Sequence, residues 1–80
     1  MVEITVDETD FAVHEGYVRE WGTNLYYDPA TDRGYQVGND GQRVALTSYE
    51  AFGCDIYRAR ELADRWISKA RRAWMEVTEA

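Results

Sequence analysis

Val2, Ile4 and Val6 alternate with Glu3 and Thr5, the two-residue period of a strand with one buried face. Asp7-Glu8-Thr9-Asp10 interrupts that alternation and reads as an acidic turn. Phe11 to Val13 and Gly16 to Trp21 are extended in character, with His14-Glu15-Gly16 as a bend between them, and Asn24 to Asp28 makes a further strand. Residues 28–34, Asp-Pro-Ala-Thr-Asp-Arg-Gly, are turn chemistry: proline presets φ, and Asp and Thr side chains bond the local backbone. Gly34 to Gly38 and Gln42 to Leu46 flank Asn39-Asp40-Gly41, and Asp-Gly between two short apolar runs predicts a hairpin.

Beyond residue 46 the period changes. Thr47, three residues before Glu50, forms a capping-box pattern, and Gly53 is placed to close that short helical turn. Asp55 is a cap for a longer helix over residues 55–77. Ile56, Ala59, Leu62, Ala63, Trp66, Ile67, Ala70, Ala73, Trp74 and Val77 fall on one side at 100° per residue. Its alanines permit close approach to a sheet, with Trp66 and Trp74 filling the gaps. The expected fold is therefore α+β: an antiparallel β-meander of three to five strands packed against one long C-terminal helix, as a single domain over residues 1–80.

At 80 residues and 45% hydrophobic, the chain has apolar area for one core and is too apolar to stay disordered. Cys54 is the only cysteine, which excludes an internal disulfide and a cysteine-based zinc site. The opening residues lack the basic and apolar regions of a signal peptide, and no apolar run reaches the ~20 residues of a membrane span. The expectation is a soluble, cytoplasmic protein.

No stretch matches a phosphate-binding loop, a dinucleotide fingerprint, a nucleophile elbow or an EF-hand. His14 is the sole histidine, so one chain cannot form a two-histidine metal site or a histidine relay. Asp28 and Asp32 are better explained as turn residues than as a carboxylate pair across a cleft. The expectation is a protein with no catalytic residues, no metal and no cofactor.

Charge separates the two halves. Residues 1–57 carry eleven acids against Arg19, Arg33 and Arg43, a net −8; residues 58–80 carry six bases against four acids, a net +2. An acidic body has a basic surface as its natural complement, whereas nucleic acid needs Lys and Arg to neutralise phosphates. Glu8 and Asp10, if extended, would stand roughly 6.6 Å apart on one strand face, close to the spacing of phosphates along a nucleic-acid strand. Glu20, Asp28, Asp32 and Asp40 fall near strand ends and turns. Of Tyr26 and Tyr27 only one can enter the core, so the other offers a rigid aromatic contact. The candidate partner-binding residues are therefore Glu8, Asp10, Glu20, Asp28, Asp32, Asp40 and Tyr26. The alternative is the basic stripe Arg58, Arg65, Lys69 and Arg72 on the helix, which would suit nucleic acid or an acidic protein in a small regulatory or structural module.

In its size, acidity, lone cysteine and meander-plus-helix pattern, the chain resembles the small phage-encoded anti-CRISPR proteins. Several of those occupy the nucleic-acid-binding surfaces of CRISPR effector complexes, some by imitating DNA charge. The resemblance implies a non-enzymatic inhibitor that covers a basic surface of a nucleic-acid-handling complex with an acidic face. The basic stripe on the helix fits an inhibitor acidic on one face rather than all round.

Overall fold

A computed structural model describes residues 1–79, with the side chains of residues 49 and 50 outside that description. Six strands follow one another: β1 (Val2–Val6), β2 (Thr9–Val13), β3 (Val18–Glu20), β4 (Leu25–Asp28), β5 (Arg33–Val37) and β6 (Arg43–Ala45). They form one antiparallel sheet whose spatial order is the chain order, and the short helix α1 (Tyr49–Phe52) and the long α2 (Ile56–Thr78) complete the fold. The meander is thus as expected but exceeds the three to five strands read from the sequence. Each extended run finds a neighbour because every connection is a tight turn, so none is left over as loop.

The turns explain the register. Asp7 and Glu8 both take positive φ, 47° and 68°, which is the twist a two-residue hairpin needs to join right-twisted strands. Glu8 is therefore in a turn, and the extended Glu8/Asp10 pair expected on one strand does not exist. Between β4 and β5, Asp28 Oδ1 accepts the Ala30 N–H at 2.9 Å; between β5 and β6, Asp40 Oδ1 accepts the Gln42 N–H at 3.1 Å, beside Gly41 at φ 82°. Both aspartates stand in for backbone acceptors that the tight turn leaves out.

Asp55 caps α2 as expected, its carboxylate accepting the Arg58 N–H at 3.0 Å. Gly53, at φ 65°, turns the chain between the helices. The Glu50 side chain of the expected capping box lies outside the described residues. At 23 residues α2 is ~35 Å long, matching the 37 Å long axis of the molecule.

Ala59, Ala63, Ala70 and Ala73 are fully buried under α2, with Trp66 between them. These small side chains bring the helix axis close to the sheet. Phe11, Val13, Val18, Tyr27 and Leu46 receive it, and Trp66 meets the Phe11 ring edge-on at 5.8 Å. At Gly34 the approach is so close that a Cβ would lie 2.6 Å from Leu46 Cδ1 and 3.2 Å from both Trp66 Cζ3 and Ile67 Cγ1.

Candidate functional site: the open face of the sheet

Helix α2 covers one face of the sheet and leaves the other bare. Cross-strand partners share a face and alternate residues change face, so the register lays out the bare side. One row runs Glu3, Ala12, Arg19, Tyr26, Tyr35 and Ala45 across all six strands. Asp10, Asp28, Arg33, Val37 and Arg43 lie two residues along their strands and share this side.

At the centre of this face is a band of rings. His14 stacks on Tyr17 with centroids 4.4 Å apart, Tyr17 lies 5.7 Å from Tyr26, and Tyr26 stacks on Tyr35 at 5.7 Å with planes within 6°. Arg19 sits 5.4 Å over Tyr26, and Arg43 sits 4.8 Å over Tyr35. Each guanidinium meets the electron-rich face of its ring. Arg19 is further fixed by the bond from Nε to the Thr23 carbonyl at 2.8 Å. All three tyrosines are half-buried, so the band is ordered and still presents ring surface to solvent. A shallow depression of about 300 Å3 opens among Tyr17, Tyr26, Tyr35, Val37, Gly41 and Arg43. A second, of about 390 Å3, lies beside Trp21, which is 57% exposed, and is bordered by Glu3, Thr5 and Asp10.

Tyr26 was legible in the sequence as the outward member of the Tyr26-Tyr27 pair, and Tyr27 is the inward one at 2% exposure. Tyr17 and Tyr35 belong with Trp21 to an aromatic surplus that a core of this size cannot hold, whereas their stacking with Tyr26 and the place of Arg19 and Arg43 come from cross-strand register. A signal existed: Tyr17, Tyr26 and Tyr35 recur every nine residues, the length of one strand plus one turn in this meander. All three arginines of residues 1–57 also emerge on this face, which makes the interior of the face nearly neutral although the body is acidic.

The acids picked from the sequence are dispersed. Glu20 points to the helix side, where Oε1 accepts the Trp66 indole N–H at 3.0 Å. Asp32, at the β4–β5 turn, accepts the Tyr27 hydroxyl at 2.5 Å and two bonds from Arg71 at 3.0 and 2.8 Å. The Arg71 guanidinium, helped by Tyr27, holds the Asp32 carboxyl below the ordinary carboxylate range. Burial, and then the bond to Asp32, pushes the Tyr27 hydroxyl up to about 12. Asp10 accepts from the Thr5 hydroxyl at 2.6 Å on the open face, while Glu8 and Asp40 project at turns along the perimeter. The open face thus gathers Asp10, Asp28 and Tyr26, with Glu8 and Asp40 at its rim.

The basic stripe of α2 is engaged within the molecule. Arg58 and Arg65 both pair with Glu61, at 3.3 and 2.8 Å, and Arg72 reaches Asp7 at 2.9 Å. Lys69 Nζ bonds the Thr9 hydroxyl at 3.4 Å. Arg71 and Arg72, adjacent in sequence, therefore tie the helix to two different turns of the sheet.

Among the described residues no cluster of three or more His, Cys, Asp or Glu side chains is placed to hold a metal ion, and no helix is long and apolar enough to cross a membrane. No protein-family model, no curated protein and no solved structure matches the chain.

Proposed function

We propose that the protein is a non-enzymatic inhibitor that docks by its open sheet face on a basic surface of a nucleic-acid-handling complex of the CRISPR-effector kind and keeps nucleic acid off that surface. The observation that carries this reading is the tyrosine band. Binding energy concentrates in Tyr, Trp and Arg side chains that are held rigid at the middle of a contact and ringed by polar groups. Tyr17, Tyr26, Tyr35, Arg19 and Arg43 meet that description, with Trp21 beside them.

Charge supplies the choice of partner. The chain carries a net −6, and the cations of the helix stripe already have acceptors within the molecule. The field seen by an approaching partner is therefore set by the acids at the perimeter, which steers association toward a basic surface and raises the rate at low salt. The format resemblance to anti-CRISPR proteins points the same way.

The test uses purified CRISPR effector complexes and a labelled target DNA in a mobility-shift assay. Added protein is expected to abolish the shifted band. Tyr26→Ala with Tyr35→Ala should weaken inhibition by roughly thirtyfold or more, the size of a central anchor contact. Reversing Glu8, Asp28 and Asp40 to Lys should weaken it chiefly at low salt. Full inhibition by the double tyrosine variant would remove the open face from the interface, and undisturbed DNA binding by every effector tried would remove the effector as partner.

A further inference from the structure

The two edges of the sheet are unlike. β6 has three residues, follows the Gly38–Gln42 loop and runs straight into a turn and α1, which packs beside it. That edge is short and covered, the usual protection against pairing with another chain. β1 has five residues in regular extended geometry, Val-Glu-Ile-Thr-Val, with neither proline nor bulge.

The hairpin fixes which backbone groups of β1 are free. A two-residue turn closes on a hydrogen-bonded pair, here Val6 and Thr9, so Ile4–Phe11 and Val2–Val13 are also bonded pairs. Glu3 and Thr5 belong to the alternate pairs and turn their N–H and C=O groups outward. The Asp10 carbonyl agrees, because it accepts the Trp21 N–H at 2.8 Å from β3 rather than bonding to β1. The side-chain pattern is symmetric about Ile4. If a second β1 is laid antiparallel with Ile4 opposite Ile4, Glu3 of each copy faces Thr5 of the other, and Val2 faces Val6. No like charges meet. Val2, 48% exposed, and the half-buried Ile4 gain apolar neighbours.

We infer that the β1 edge is a pairing surface for a second copy of this chain, joined antiparallel about a two-fold axis at Ile4. Four backbone hydrogen bonds form between Glu3 and Thr5 of the two copies, and the two six-stranded sheets become one. The axis is normal to the sheet, so both α2 helices stay on one side. The two tyrosine bands then share the other side, giving a double-length docking face.

Sedimentation equilibrium over a wide concentration series should show the mass rising from the 9.3 kDa chain toward twice that value. Thr5→Pro removes an outward N–H that β2 does not use, so it should keep the chain folded by circular dichroism and monomeric throughout. Crosslinking reads the register in a Cys54→Ser background. Ile4→Cys should form a disulfide-linked dimer under mild oxidation, since opposite residues at that pair lie ~4.5 Å apart at Cα. Glu3→Cys alone and Thr5→Cys alone should not link, being roughly 8 Å from their own copies, whereas an equal mixture of the two should. A mass fixed at one chain at every concentration, or equal crosslinking of all three single variants, would overturn the inference; loss of fold in the Thr5→Pro variant would leave the crosslinking pattern to decide.

Discussion

Glu20 and Trp66 lie 46 positions apart and meet in one hydrogen bond, the indole N–H donating to Oε1 at 3.0 Å where α2 crosses β3. Trp66 is buried, so its N–H has no other outlet among the described contacts. Replacing Glu20 with Leu strands that donor in the core and is expected to cost about 1–3 kcal/mol. Glu20→Gln keeps an acceptor oxygen and should cost less than ~1 kcal/mol. Urea unfolding followed by tryptophan fluorescence measures both, and equal losses for the two variants would show that the bond contributes nothing.

Gly34 is where helix and sheet come closest. A Cβ there meets Leu46, Ile67 and Trp66 at once, and all three belong to the packed layer. Gly34→Ala should destabilise by about 1–3 kcal/mol, the cost of overpacking, despite alanine's better backbone entropy. A gain in the denaturation midpoint would mean that the layer yields more readily than its packing implies.

Glu8 holds a left-handed backbone conformation at φ 68° that glycine adopts without strain. Glu8→Gly is expected to stabilise the fold by roughly 1 kcal/mol, read as a rise in midpoint temperature of several degrees for a domain this small. It also removes one perimeter acid. A stabilised variant with a slower, less salt-sensitive association rate would thus separate the two roles of that position.

The Tyr27–Asp32–Arg71 group sets how stability responds to pH at both ends. Folding raises the Tyr27 hydroxyl from 10.0 to about 12, so its contribution is whole below pH 10 and is lost as pH rises through about 12. Folding lowers the Asp32 carboxyl below 3.8, first through Arg71 and then through Tyr27. Its contribution is therefore present above that value and fades as pH falls through the lower folded one. Tyr27→Phe should be less stable at neutral pH by ~1 kcal/mol, for the lost bond, and should show a shallower decline between pH 10 and 12. Parallel decline of the two proteins would rule out Tyr27 as the alkaline sensor.

The fold was largely legible because it is local. Period-two runs, Asp-Gly and Pro-containing turns, the Asp55 cap and the apolar stripe of α2 are all short-range signals, and in a meander the neighbours in space are the neighbours in sequence. All six extended runs were legible, β3 and β6 within Gly16 to Trp21 and Gln42 to Leu46. Whether runs that yield only three paired residues join the sheet depends on register, so three to five strands were expected. Asp10, Asp28 and Tyr26 were legible one by one, but the band around Tyr26 was not. Its companions depend on cross-strand register, which brings Tyr35 opposite Tyr26 and Arg43 over Tyr35, and no composition reveals register. Two of the candidate acids, Glu20 and Asp32, are engaged within the molecule by Trp66 and Arg71, and a count of charges along the sequence does not show such engagement.

Because strand order equals chain order, each hairpin closes over a short loop before the next segment is needed, and low sequence separation between contacts favours rapid folding. The helix is different, since its buried residues lie at positions 59–73 and lock onto strands that begin at residue 2. Without α2 the sheet would leave Phe11, Val18 and Tyr27 facing water. Chains cut short ahead of α2 would present that apolar sheet to one another, and the last third of the protein serves the first two thirds as a built-in chaperone.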